Sequence, residues 1–439
     1  MMNILIVGSG AREHAIAKAL NKSSHKPKLF CFGTSRNPGI QALTSDYWVG
    51  DITDSNQIEQ KALQWQVNIA IIGPEAPLAN GVADALWDVG IATIGPKKNL
   101  AQIETSKAFA RKLMEAHQIA GLPRYKAFTS LEGIKEFLSE LGENNYVVKA
   151  NGLMGGKGVK VGGEHIFSFE EAITYCREIF EHNQSLVIEE KLIGQEFSFM
   201  CFSDGVSLVP MPLVQDHKRA YEHDKGPNTG GMGSYSAADH SLPFLSSEDV
   251  RAAFEINQSV IKALMAETSD KYIGIIYGGF IATAHGVYVI EFNARFGDPE
   301  SLNVLSLLES DFVNLCIAMT TGNLQNESVS FFNKATVCKY TVPDGYPDNP
   351  LRHVEIDIAD VEHKGSLYLA AVHQEDGKLY ATGSRTAAYV GIANTLSEAE
   401  EIAEQEISHI KGPLFHRKDI GTLPLINARI EAMRKLRAL

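Results

Sequence analysis

The chain has 439 residues, of which 44% are apolar and 21% charged, and its formal net charge is −13. That balance is too apolar for a disordered chain, and it supplies no net positive field to hold nucleic acid or an anionic membrane, which leaves room only for a local basic pocket. At roughly 150 residues per domain, the length suits about three domains.

Met1-Met2-Asn3 runs straight into a short apolar segment, without the basic start and long apolar stretch of a signal peptide, so a cytoplasmic protein is expected. Asn3 to Val7 reads as a buried strand, followed by Gly8-Ser9-Gly10 and a helical pattern from Arg12 to Leu20. Lys28 to Phe32 and Ile69 to Ile72 read as further strands, with helices around Ser55 to Gln66 and Gly81 to Val89. This alternation predicts a Rossmann-like parallel sheet over residues 1–103. Thr105 is expected to cap a helix reaching about His117, and Pro123 breaks the pattern.

Residues 124–194 read as a small α/β unit. It has strands at Tyr146 to Lys149, Val159 to Val161 and Leu186 to Glu190, and a helix from Phe169 to His182. This unit lies inside a larger mixed region, 104–330. There the apolar run Tyr272 to Ile290 is read as two buried strands joined at Ala284-His285-Gly286, not as a membrane helix. Residues 331–439, with short strands and a helix capped by Ser397, are expected to form a separate α+β domain. The five cysteines are scattered and never in a C-x-x-C pair, and His217 and His223 lack helical i, i+4 spacing. Neither a disulfide framework nor a zinc site is expected.

Five segments carry chemistry. Gly8-Ser9-Gly10-Ala11-Arg12-Glu13-His14 places a glycine turn at a helix start, which suits a phosphate, or is simply a tight turn. The dinucleotide fingerprint fails, because Glu13 holds the third glycine position. Gly73-Pro74-Glu75 ends another strand and is expected to face the same crevice. Lys149 and the loop Gly152, Gly155, Gly156, Lys157, Gly158 form a backbone cradle for polyphosphate, the alternative being an exposed hairpin loop. Glu189, Glu190, Leu192 and Glu196 end an apolar strand, where main-chain groups suit a base edge and a carboxylate suits ribose, although taken alone the segment reads better as a solvated strand end. Glu291 and Asn293 alternate on one strand face and suit magnesium or manganese, with Arg295 beside them for a transferring phosphoryl group. Gln215-Asp216-His217-Lys218-Arg219 and Gly226 to Gly233 read as a loop-borne anion or substrate site, or as a long surface connection.

In this order the segments resemble the ATP-grasp ligases, and within them the phosphoribosylamine–glycine ligase family, over essentially the whole chain. The most specific pieces are G-S-G-A-R-E-H, G-P-E-A-P-L at 73–78, S-K-A-F at 106–109, Q-D-H-K-R at 215–219, G-P-N-T-G-G-M-G at 226–233, E-F-N-A-R-F-G-D-P-E at 291–300 and R-K-D-I-G at 417–421. The resemblance implies an ATP-grasp fold for 104–330, with 124–194 as its lid. It implies ATP, glycine and 5-phosphoribosylamine as substrates, magnesium or manganese as cofactor, and a monomer making at most transient contacts with neighbouring purine-pathway enzymes.

It further implies that Lys107 and Lys149 contact the ATP phosphates and that residues 152–158 close over them to exclude water. Glu189 and Leu192 would meet adenine through their main chains, Glu196 would meet ribose, and Glu190 would belong to the same nucleotide site. Glu291 and Asn293 would bind the metal, and Arg295, Lys149, Asp216 and Lys218 would serve the reaction. Asp216, Lys218, Asn228, Thr229, Gly230, Gly231, Gly297 and Asp298 would line the glycine and phosphoribosylamine side, the turn with Gly10, Arg12 and Glu13 would help hold the ribose phosphate, and Pro74 and Glu75 would also bind substrate. The chain departs from the family pattern at Met154-Gly155, at Ser35-Arg36 and at Gly383-Ser384-Arg385-Thr386-Ala387, where G-G-R-V-L is common. A nicotinamide-dependent oxidoreductase leaves 291–300 unexplained, and a non-catalytic nucleotide module leaves the lysines and metal positions unexplained.

Overall fold

The computed structural model describes residues 2–153, 158–182 and 184–438, so the predicted loop residues Met154, Gly155, Gly156 and Lys157 lie outside it. Asn3–Val7 is the central strand of a five-stranded parallel sheet. Ile4, Leu5, Ile6 and Val7 are fully buried, as a strand covered by helices on both faces requires. Lys28–Gly33 and Ile69–Ile72 flank it, and Asp46–Val49 and Ala92–Ile94 form the edges. The edge strands are short and were not foreseen; three of the four residues in Asp46–Val49 are exposed, which erases the apolar run. The strand order reverses between Asn3–Val7 and Ile69–Ile72. Their carboxyl ends, Gly8-Ser9-Gly10 and Gly73-Pro74-Glu75, therefore share one crevice, as expected.

Two helices, Lys98–Thr105 and Lys107–Ala116, meet at Ser106. Ser106 is extended (φ −139°, ψ 107°) and its hydroxyl accepts from the Phe109 N–H, so Ser106, not Thr105, is the cap. The small unit is a four-stranded antiparallel sheet in the order Tyr125–Phe128, Leu186–Glu190, Tyr146–Ala150, Val159–Val161. Helices Ile134–Leu141 and Phe169–His182 cover it, and it has its own core around Leu138, Val148, Ala172 and Ile188.

A second antiparallel sheet runs Leu208–Pro210, Gln195–Asp204, Ile273–Thr283, Gly286–Asn293, so the two expected strands exist and extend to Asn293. Helix Ser247–Thr268, closed by a Ser246/Asp249 capping box, packs Ala253, Ile256, Val260 and Leu264 into the core. Strands from either side of residue 330 share one sheet. Ala335–Pro343 pairs with Gly233–Ser236 on one side and Ala387–Ala393 on the other, and Gly233–Ser236 pairs with Gln215–Asp216. The C-terminal segment thus completes a sheet begun more than a hundred residues earlier. Val354–Ile356, Lys378–Ala381 and Val372–Glu375 form a separate three-stranded sheet.

Helix Leu396–Ser408 is capped by Thr395 with Glu398 closing the box, so Ser397 lies inside it. Leu423–Arg437 is a further helix that was not foreseen. Among the described residues no helix is long and apolar enough to cross a membrane. All five cysteines are buried and free.

Candidate active site

The position of Glu291 depends on a β-bulge. Gly279 pairs with Glu291 but Phe280 pairs with Val289, which leaves Ile290 as the extra residue. Val287, Val289 and Phe292 are buried against Phe280 and its neighbours, so the core spacing along this strand is two and then three. In simple alternation Glu291 would share the core face of Val289. The bulge turns it instead to the face of Tyr288 and Gly279, where it meets a cleft lined by Glu196, Ser198, Asp216, Lys218 and Tyr277. Although burial alone would raise it, the Glu291 carboxyl lies below the usual range because Lys218, Lys149, Lys107 and Arg295 face it. An ionised carboxylate with the Asn293 amide two residues on is a hard-oxygen donor pair, and one or two such groups plus phosphate oxygens is what magnesium or manganese takes.

The bulge also frees the Ile290 carbonyl, which accepts from Arg111 (2.8 Å) and from Lys149 (3.1 Å). Between these two cations lies Glu189, 2.6 Å from Arg111 Nε and 2.7 Å from Lys149 Nζ. Against a large burial penalty, Arg111 and Lys149 hold the Glu189 carboxyl down to about 2. Its main chain lies inside the sheet, in register with Tyr125 and Val147. The main chain expected to meet adenine thus sits between two neighbouring strands at Glu189, and Leu192 lies just beyond the strand end. The Glu190 carboxylate accepts from the Arg124 N–H at 2.7 Å, at the entry to the small unit and not in the cleft. Lys149 is 7% exposed and its two bonds are internal, so a phosphate contact would require exchange of a partner. Lys107 donates to the Gly152 carbonyl at 3.0 Å, and burial, with Lys149 nearby, holds its ammonium below the ordinary lysine range. Asn151 accepts from Ser106 and the Ala108 N–H, tying this helix start to the glycine loop. At the far end of that loop the Gly158 carbonyl accepts from the Ala150 N–H.

On the opposite wall, residues 215–219 are not a free loop. Gln215–Asp216 is an edge strand, and Arg219–Tyr221 forms a hairpin with Lys225–Asn228. Thr229 donates through both its N–H and its hydroxyl to the Lys218 carbonyl, and Gly231 N–H donates back to Thr229. Lys218 Nζ stands 3.7 Å from Glu196 and 4.0 Å from Glu291. Burial alone would lower its affinity for a proton, yet Glu196, Glu291, Asp216 and Glu300 raise it, so it is a fixed cation. Burial and then Glu300 push the Asp216 carboxyl well above its usual range. Glu300 accepts from Ser198 (3.0 Å) and Tyr277 (2.9 Å), whose hydroxyls lie 2.7 Å apart.

The N-terminal turn differs from its expected form. The Glu13 carboxylate accepts from the Gly10 N–H at 2.6 Å and pairs with Arg12 at 2.6 Å. The helix start thus already carries an anion, and the Gly10 N–H is not offered to a phosphate. Arg12 also donates to the Phe296 carbonyl, next to Arg295. Arg295 is held by Glu104 at 3.0 Å and lies 3.4 Å from Glu75, the first residue of the helix after Pro74. Its charge reaches Glu291, while Nη2 pairs with Glu104 and Nη1 donates to the Phe296 carbonyl. It locks the strand end to the first sheet.

A residue from the C-terminal segment completes the rim. Arg385 donates to the carbonyls of Gly230 (2.7 Å), Gly231 (3.2 Å) and Asp298 (3.0 Å) and pairs with the Asp298 carboxylate at 3.1 Å. Its guanidinium lies 4.7 Å from the Tyr340 ring centroid, and the Tyr340 hydroxyl donates to Asp298 at 2.7 Å. Gly297 lies over Glu300, where an added Cβ would collide with the carboxylate. Arg385→Gln is expected to lower kcat/KM by about 10²-fold in steady-state assays, because both loops lose their common anchor.

The structure therefore brings Glu196, Asp216, Lys218 and Glu291 into one cleft, with Lys107 and Lys149 behind them. Gly230, Gly231, Gly297 and Asp298 stand at the rim; Glu75 joins through Arg295, and Arg12, paired with Glu13, joins through the Phe296 carbonyl. Glu190 stands apart. Sequence reasoning missed Arg111, Glu104, Ser198 and Tyr277, gave Glu300 no role, and named Arg385 only within a segment that departs from the family pattern. The one available signal was that Arg111 follows Lys107 at helical i, i+4 spacing.

Residues 2–104, 105–301 and 336–423 match, in that order, the N domain, the ATP-grasp (A) domain and the C domain of phosphoribosylglycinamide synthetase. The phosphoribosylamine–glycine ligase of Methanosarcina barkeri (strain Fusaro / DSM 804) is 50% identical over 436 residues, covering 99% of this chain and 100% of its own length. The crystal structure of phosphoribosylamine–glycine ligase from Thermotoga maritima superposes with a TM-score of 0.80 at 27% identity, covering 95% of this chain and 100% of that one. The fold is shared more widely. The biotin carboxylase domain of 2-oxoglutarate carboxylase from Hydrogenobacter thermophilus, in complex with magnesium ADP and bicarbonate, superposes with a TM-score of 0.72 at 16% identity, covering 98% of this chain and 93% of that domain.

Proposed function

The chain belongs to the phosphoribosylglycinamide synthetase family, and from that membership we propose that it joins glycine to 5-phosphoribosylamine in purine biosynthesis, driven by cleavage of ATP to ADP and phosphate. The observation that carries this reading is the cleft in which Lys218, Lys149 and Lys107 converge on the ionised Glu291. It suits a polyphosphate and a divalent ion better than any uncharged ligand. Magnesium or manganese held by Glu291 and Asn293 would supply charge neutralisation at the phosphate oxygens.

The reaction runs in two steps. A glycine carboxylate oxygen bonds to the γ-phosphorus as the bond to ADP breaks, giving glycyl phosphate. The amine of phosphoribosylamine then bonds to the acyl carbon as phosphate leaves, and the nitrogen sheds a proton. Lys218, Lys149 and Lys107 neutralise the transferring charge, and the two loops anchored by Arg385 orient the acid and the amine. Asp216, its proton affinity raised by burial and by Glu300, is the carboxylate suited to take the amine proton.

The test is ADP formation by the purified protein with ATP, magnesium, glycine and freshly generated phosphoribosylamine, each omitted in turn. Turnover should require all four. ADP formation that ignores glycine or phosphoribosylamine would leave the fold standing and assign the cleft to another acid and amine.

A further inference from the structure

The three-stranded sheet formed by Val354–Ile356, Lys378–Ala381 and Val372–Glu375 has one face in the core and one in solvent. Ile356, Val372 and Ala381 supply the buried face. Register places the others: His373 lies opposite Tyr380, Tyr380 opposite Glu355, and Glu375 opposite Lys378. His353, two residues before Glu355, joins the same outer face, anchored by its N–H to the Ala381 carbonyl at 2.8 Å.

That face is organised more tightly than a solvated surface requires. His353 adopts φ 52°, in the left-handed region that non-glycine residues seldom occupy. Its ring lies parallel to Tyr380 (centroids 4.6 Å apart, 6° between planes) and to His373 (5.2 Å, 15°). One donor atom from each of His353, His373 and Glu375 lies within 4.8 Å of the others, and His373 Nε2 is 3.9 Å from the Glu375 carboxylate. Lys378, the cation nearest in register, is taken by Glu355 at 2.9 Å, which leaves Glu375 for another partner.

We propose that His353, His373 and Glu375 form a binding site for a transition-metal dication of the zinc, nickel or copper class, separate from the ATP cleft. Two imidazoles and one carboxylate match the donor preference of those ions and not that of magnesium, which takes oxygen ligands. Ligand bonds of about 2.0–2.2 Å need donor atoms closer together than they stand here. Half-exposed side chains on a sheet face close that gap by rotation, and water fills the remaining positions. His353 directly precedes one edge strand and His373 and Glu375 lie on the other, so the ion ties together the two strands that flank Lys378–Ala381.

The test is equilibrium dialysis of the full-length, chelator-stripped protein against micromolar zinc chloride with excess magnesium present, so that an oxygen site in the cleft is filled. One zinc per chain is expected. His353→Gln and His373→Gln should each weaken binding by about tenfold or more, since losing even an indirect supporting partner of a metal site costs that much. His363→Gln, in the other cluster of possible ligands with Glu362 and Glu406, should leave binding unchanged. Zinc should raise the melting temperature of the parent and not of the His353 or His373 variants, whose metal-free melting shows that they fold. Glu375→Gln serves as a further ligand variant should either histidine variant be unstable. No bound zinc, binding unaffected in all three ligand variants, or binding lost in Glu291→Gln would overturn the proposal.

Discussion

Glu291→Gln is expected to lower turnover by about 10³-fold while leaving the circular dichroism spectrum and the melting profile close to those of the parent. The substitution keeps shape and volume and removes the anion on which Lys218, Lys149 and Lys107 converge. It also replaces a charged oxygen donor by a neutral one beside Asn293. The concentration of magnesium needed for half-maximal rate should rise together with the loss of kcat. A variant with parental turnover at ordinary magnesium would remove Glu291 from the metal site.

The largest effect on stability should come from Arg111. It is 2% exposed, pairs with Glu189 through Nε and Nη2, and donates to the Val289 and Ile290 carbonyls at 3.0 and 2.8 Å. Arg111→Met leaves Glu189 buried with Lys149 as its remaining cation and costs about 3–5 kcal/mol. The cost should depend on pH. Glu189 is held at about 2 in the folded chain, against an ordinary value of 4.5. A depressed carboxylate contributes stability that is fully present above about 4.5 and is lost as pH falls toward 2. The contribution is about 3 kcal/mol at roughly 1.4 kcal/mol per unit. In the variant the folded value rises, so the gap between parent and variant should be widest near neutrality and narrow below pH 4. Urea unfolding at pH 7, 4 and 3 reads this directly, and a gap that stays constant with pH would rule out Glu189 as the group responsible.

Elements with a strong local pattern were legible in the sequence. Phe169–His182 and Leu186–Glu190 begin and end where periodicity placed them. The caps slipped because two cap-competent residues stood close together. Thr105 and Ser106 are neighbours, and Thr395 and Ser397 each precede a glutamate by three residues. Backbone geometry selected Ser106 and Thr395. For the cleft, sequence order identified Glu291, Lys218 and Asp216, since each lies in a dense polar motif. The bulge at Ile290 was not readable as strand alternation, although the spacing of Val287, Val289 and Phe292 carries it. Arg111, Glu104 and Arg385 act on partners far away in sequence, at 189, 295 and 230, and no local pattern encodes such a pairing.

The sheet that crosses residue 330 also bears on the order of events during synthesis. Asp216 leaves the ribosome early, yet its strand is fixed through Gly233–Ser236 to Ala335–Pro343, which in turn needs Ala387–Ala393. At about 5–20 residues per second, roughly 9–35 s separate the making of Asp216 from that of the last of these strands. The first parallel sheet and the small four-stranded unit hold their own partners and close during that interval. The reaction centre is therefore assembled last, and a nascent chain halted before the final hundred residues would be folded in part and catalytically silent.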